Sequence, residues 1–168
     1  MYSFNIIPAP ICTIINYPGG GIVRWRIAMV GKPKLNFAAA GVELYLKRIR
    51  RWAPVEAVHV RPGNPESESR ELARLTEGWF RILLDERGEQ IRSLDLAHKL
   101  QDWETRGPSK LSLIIGGAAG YSKELNRQAD WIWSLSKLTM QHEIALLVAL
   151  EQVYRAYTIT RGTPYHRE

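Results

Sequence analysis

The 168-residue chain holds a single cysteine, Cys12. One thiol excludes an intramolecular disulfide and any cysteine-built zinc site, and it suits a reducing compartment. Long apolar runs are missing as well, since no stretch reaches the roughly 18 residues that a membrane span requires. The opening MYSFNIIPAPICTII lacks a basic flank and is interrupted by Pro8 and Pro10, so it does not read as a secretory signal. The four histidines, 59, 98, 142 and 166, show no ligand spacing, which argues against a metal site. No G-x-G-x-x-G, P-loop or G-x-S-x-G elbow is present, leaving nucleotide-phosphate chemistry and Ser-His-Asp hydrolysis without support.

What remains is an ordinary folded composition with a basic bias. Hydrophobic residues make up 45% and charged residues 24%, with 23 Lys and Arg against 17 acidic residues, a net charge of +6. Such a balance favours a polyanionic partner. Residues 1–24 contain one charged residue, Arg24, and close on YPGGG before the chain becomes regular. They read as an appendage ahead of one domain, 25–168, with natural translation expected to begin at or near Val23.

From Trp25 the pattern alternates. WRIAMVG, VEAVHV, WFRILLD and KLSLIIGG read as strands. Between them lie an amphipathic helix from Leu35 to Trp52, a second near Glu66 to Thr76 and a third over about 94–105, the last capped by Ser93. Ser122 caps the short KELNRQAD helix, and a long helix runs from about His142 to Thr158. Strands alternating with helices predict an α/β fold with a mainly parallel sheet. Ligands of such folds sit beyond the carboxyl ends of strands, which singles out the loops IIGGAAGYS (114–122) and WSLSKLTMQHE (133–143).

Two features have a bland and a sharp reading. The basic side of the first helix, Lys47, Arg48, Arg50 and Arg51, serves as solvated surface or as a contact for a polyanion. Glu151 and Arg155, four apart on the last helix, form a surface pair or a positioned one. That helix, EIALLVALEQVYRAYTI, is apolar over most of its circumference, which implies burial on more than one side and is met by a symmetric homodimer.

Taken together, WRIAMVGK, GVELYLKRI, LIIGGAAGYS, WSLSKLTMQHEIALLVALEQVYRAYTI and the terminal PYHRE resemble the bacterial ribosomal large-subunit pseudouridine N3-methyltransferases, the RlmH-type branch of the SPOUT superfamily. The resemblance runs from Trp25 to Glu168. It implies an α/β fold whose C-terminal segment threads a trefoil knot, an exception to the rule against threaded chains. It further implies a cytoplasmic homodimer that binds S-adenosylmethionine and methylates N3 of a pseudouridine in 23S ribosomal RNA of the assembled 70S ribosome, with neither DNA nor membrane as partner. Matching positions place the cofactor against Leu84, Gly116, Gly117, Leu135, Ser136, Lys137, Leu138, Thr139 and Met140. The candidate catalytic residues are His142, Glu151, Arg155, His166 and Arg167, with either histidine able to relay the proton that the ring nitrogen loses. RNA contact falls to Lys47, Arg48, Arg51 and Tyr165. The chain departs from the family at Ala118-Ala119, where Pro-Glu is common, and at Gln141, where Pro is common. The competing expectations are a non-catalytic RNA-binding assembly factor on this scaffold, or a SPOUT methyltransferase for another RNA.

Overall fold

A computed structural model of the chain describes residues 21–166. Residues 1–20 of the expected appendage and Arg167 of the expected site lie outside them. The elements run β1 (Arg24–Val30), α1 (Asn36–Ile49), β2 (Val55–Val60), α2 (Pro65–Leu75), β3 (Phe80–Gln90), α3 (Ser93–Arg106), β4 (Lys110–Ile115), α4 (Lys123–Arg127), β5 (Trp131–Ser134) and α5 (His142–Thr160). All five strands are parallel, in the order β2-β1-β4-β3-β5. The fifth strand stands where only a loop is expected from the sequence, and it pairs with a β3 that runs past a bulge between Leu84 and Glu89.

Alternation along the strands sorts two apolar layers. Trp25, Ile27 and Met29 of β1 join Leu111, Leu113 and Ile115 of β4 under α1, α3 and α5. Ala28, Val30, Leu83 and Ile114 face the other way, toward Leu72 of α2 and Leu125 of α4. Val23, at 1% exposure, already belongs to the first layer, and Arg24 opens β1.

The apolar circumference of α5 is met largely inside the chain. Leu146, Ala149, Leu150, Val153, Ala156 and Tyr157 are buried, and α1 and α3 pack along its two flanks. On one flank the absent side chain of Gly41 makes room for Leu147, whose Cδ1 would lie 2.7 Å from a Cβ there. On the sheet side Trp25 Nε1 donates to the Tyr157 hydroxyl at 2.9 Å, and Trp52 stacks on Tyr154 and Tyr157 at 5.3 and 5.6 Å. A second copy is therefore not needed to explain why this helix is apolar.

Helix ends follow local chemistry. Asn64 Oδ1 accepts the Ser67 N–H and Ser122 Oγ that of Leu125, as capping residues do. Ser93 does not cap α3 as expected. It is the first helical residue and its hydroxyl donates to Gln152 Oε1 on α5 at 2.7 Å, while Asp95 accepts the Arg92 N–H. At the end of α2, Arg26 and Arg81 reach up from the sheet to the carbonyls of Leu75 and Ala73.

Candidate active site

The carboxyl ends of β3, β4 and β5 surround a cavity of about 610 Å³. β4 gives out at Ile115 into Gly116 and Gly117, whose bare backbone forms one wall. A Cβ on Gly116 would lie 2.8 Å from Tyr121 Cε1, and one on Gly117 2.7 Å from Glu68 Oε2, so neither position accepts a side chain without displacing a neighbour. Gly120, at φ +75°, turns the chain back, and its N–H donates to the Gly117 carbonyl. Tyr121 fastens this wall. Its hydroxyl accepts the Gly116 N–H at 2.9 Å and lies 2.8 Å from the Ile114 carbonyl and 3.0 Å from that of Leu84, joining the ends of β4 and β3. Burial pushes the phenol's pKa upward, so it stays neutral.

A second wall comes from the bulged middle of β3. The Asp85 carboxylate accepts the backbone N–H and the guanidinium of Arg87, which holds its carboxyl below the usual range. Glu86 Oε2 accepts the Thr139 hydroxyl at 2.5 Å, and Ser134 Oγ meets the carbonyls of Glu86 and Ser136. Residues 85–87 and the loop 135–141 are thereby tied together beside the cavity. The first turn of α5 supplies His142 and Ala145. Next to them Glu143, 3% exposed, accepts the N–H groups of Lys34 and Leu35 at 2.8 Å each, and His142 Nε2 lies 4.0 Å from its other oxygen.

The cavity brings together Leu84, Gly116, Gly117, Leu135, Ser136, Leu138, Thr139 and Met140, with His142 at their edge. Lys137 is not among the lining residues. Ser136 Oγ accepts the Leu138 N–H in a tight turn that leaves Lys137 exposed.

Of the other expected catalytic residues, Glu151, Arg155 and His166 lie elsewhere in this chain. Glu151 and Arg155 pair at 2.5 Å, the Tyr165 hydroxyl donates to the same Glu151 oxygen at 2.9 Å, and Tyr45 reaches Tyr165 at 3.2 Å. Burial, then the bonds to Tyr45 and Glu151, push the Tyr165 phenol upward and keep it a donor. Arg155 lies over the Tyr165 ring, and its Nη1 is 3.4 Å from His166 Nδ1, which leaves Nε2 to carry the proton of a neutral ring. None of these five residues lines the cavity. Thirteen residues of helix separate His142 from Arg155, about 20 Å at 1.5 Å per residue. Arg48 sits over the rings of Tyr45 and Tyr154, with Lys47 and Arg51 exposed, so the basic side of α1 adjoins this tail cluster rather than the cavity. Sequence reasoning gave no role to Asp85, Glu86, Tyr121 or Glu143. The first two lie at the bulge within β3, where the strand expected from the sequence, WFRILLD, ends, a signal that the rule for ligand position already contains.

Among the described residues no group of three or more His, Cys, Asp or Glu side chains gathers to hold a metal ion, and no helix is long and apolar enough to cross a membrane. The parallel sheet carries a glycine-walled cavity at its carboxyl edge and a terminal helix folded back over it, and residues 23–166 match the family described as "Predicted SPOUT methyltransferase". The chain belongs to that family. It is 42% identical over 145 residues to the ribosomal RNA large subunit methyltransferase H of Thermus thermophilus, covering 86% of this chain and 99% of that protein. Its counterpart of the same name from Deinococcus radiodurans is 39% identical, at the same coverage. Among solved structures, a probable methylase family protein from Haemophilus influenzae aligns with a TM-score of 0.55 at 9% identity, over 87% of this chain and 71% of that one. A probable methyltransferase from Bordetella pertussis gives 0.53 at 13%, over 80% and 96%. At those identities the likeness is one of fold.

Proposed function

We propose that the chain is an S-adenosylmethionine-dependent methyltransferase of large-subunit ribosomal RNA, acting on N3 of a pseudouridine in the 70S ribosome as a cytoplasmic homodimer. The observation that carries this reading is the cavity built from the glycine wall and the 135–141 loop, in a chain that spans 99% of a relative bearing that name.

The residues present fit the cofactor. The cavity's size lies within the usual range for ligand sites, its Gly116-Gly117 wall lets a ligand lie against backbone, and Glu86 sets negative charge beside a cationic ligand while Asp85 is neutralised by Arg87. Bound there, S-adenosylmethionine supplies a methyl group on a positively charged sulfur. Leu84, Leu135, Leu138 and Met140 exclude water and fix orientation, and positioning of this kind contributes about 7 to 11 kcal/mol in well-oriented reactions. His142 lines the cavity, and this supports it as the group that takes the proton from the base nitrogen.

Arg155, Tyr165 and His166 reach a reacting base only from a second copy. Phe37 and Leu44, 62% and 44% exposed, lie on the face of α1 that carries Gly41, against which Leu147 of α5 packs, and this apolar stripe supports a dimer through α1 and α5. In that dimer the tail of one copy completes the cavity of the other. The return of the chain from β5 through the 135–141 loop to α5, between α1 and α3, supports the family's trefoil knot.

Titration calorimetry with S-adenosylmethionine, followed by mass mapping of ribosomal RNA after incubation with unmethylated 70S ribosomes, tests the reading. Heat and one added methyl on a pseudouridine are expected. Heat without that methyl points to another RNA, and no heat leaves a non-catalytic assembly factor.

A further inference from the structure

Several arginines on this surface are neutralised where they stand, as Arg74 is by Glu71, Arg106 by Asp102 and Arg127 by Glu124. Lys34 and Arg61 differ. Both are exposed, and neither side chain has a carboxylate or hydrogen-bonding partner among the described residues.

These two residues stand on neighbouring loops. They follow β1 and β2, whose last residues Val30 and Val60 are in register. The Gly31 N–H donates to the Val60 carbonyl at 2.8 Å, and His59 Nδ1 lies 2.9 Å from the Gly31 carbonyl. The first loop is also fastened, because buried Glu143 accepts the N–H groups of both Lys34 and Leu35 from the turn of α5 that carries His142 to the cavity. The backbone of Lys34 is thus held against the turn of α5 that reaches the cavity, and Arg61 stands on the adjoining loop.

An exposed cation with no local carboxylate keeps its attraction for phosphate, and a pinned backbone loses less freedom when a ligand arrives. We infer that the loops after β1 and β2, through Lys34 and Arg61, bind the phosphates of the ribosomal RNA strand flanking the target base. This surface is separate from the basic side of α1, which adjoins the tail cluster. The inference rests on ribosomal RNA being the substrate, and it adds the route by which the strand approaches. Cavity and loops open on the same edge of the sheet, so a nucleotide entering the cavity carries its neighbours' phosphates past this loop pair.

The test compares the full-length protein with Lys34→Ala/Arg61→Ala and with Arg106→Ala/Arg127→Ala, which removes the same formal charge from paired sites. Ribosome affinity is measured from about 50 to 200 mM salt, alongside methylation kinetics and S-adenosylmethionine binding. Loss of two phosphate contacts lowers the slope of log affinity against log salt by about 1.4 to 1.8. The first variant is expected to show that drop, at least tenfold weaker ribosome binding, a loss expressed in KM more than kcat, and unchanged cofactor affinity. The second is expected to keep the wild-type slope. Wild-type slope and affinity in Lys34→Ala/Arg61→Ala would overturn the inference, as would equal losses in both variants. A wild-type protein that neither binds nor methylates ribosomes would overturn the substrate reading instead.

Discussion

Replacing Tyr121 by Phe removes one oxygen and leaves the ring against Gly116. The hydroxyl accepts the buried Gly116 N–H and joins it to the carbonyls of Leu84 in β3 and Ile114 in β4. Without it the Gly116 N–H loses its acceptor, and a buried unsatisfied donor costs about 1 to 3 kcal/mol. For a domain of this size a cost near 2 kcal/mol lowers Tm by about 4 to 8 °C. The same bond fixes the glycine wall, so the wall should sample more conformations and the Kd for S-adenosylmethionine should rise about tenfold, equivalent to about 1.4 kcal/mol. Scanning calorimetry and ligand titration read the two effects separately. Because burial keeps the phenol neutral, the size of both should not change between about pH 6 and 9. Unchanged Tm and Kd would refute the reasoning, showing that the wall is held by packing alone.

Other substitutions probe other parts of the structure. Gly117→Val should abolish cofactor binding and also lower Tm, since its side chain enters the space of the buried Glu68 carboxylate; retained affinity in titration would show that the wall yields. Tyr157→Phe strands the buried Trp25 N–H and should cost about 1 to 3 kcal/mol in urea unfolding, with cofactor affinity unchanged. Tyr165→Phe loses the bond to Glu151, worth about 1 kcal/mol at a partly exposed site, and should slow methylation of ribosomes severalfold while leaving Kd for the cofactor alone. Phe37→Glu/Leu44→Glu should yield monomers in sedimentation, and a persistent dimer would place the interface elsewhere.

Four strands are legible in the sequence because each is an apolar run ended by glycine, proline or a charged turn. β5 is not, because four residues give too little alternation to detect and its pairing depends on a bulged, polar extension of β3 that reads as loop. Both cavity loops can be located from strand ends alone, although Lys137 shows that a run of loop residues does not share one direction. The tail cluster is a matter of tertiary distance: Glu151 and Arg155 pair as their spacing predicts, yet nothing local to them reveals that they stand far from the cavity. The α5 environment misleads in the opposite sense, since an apolar circumference does not distinguish flanking helices from a second subunit.

α5 joins the cavity and the tail cluster through one unbroken helix. Each residue inserted in or deleted from its middle would swing Arg155 by about 100° relative to His142 and move it by about 1.5 Å. Evolutionary change in chain length should therefore be absent between these two residues and collect in the loops, whereas substitutions along the same stretch remain free wherever the side chain is not buried. The spacing between the two ends is a gauge that drifting sequences must preserve even as their identities diverge.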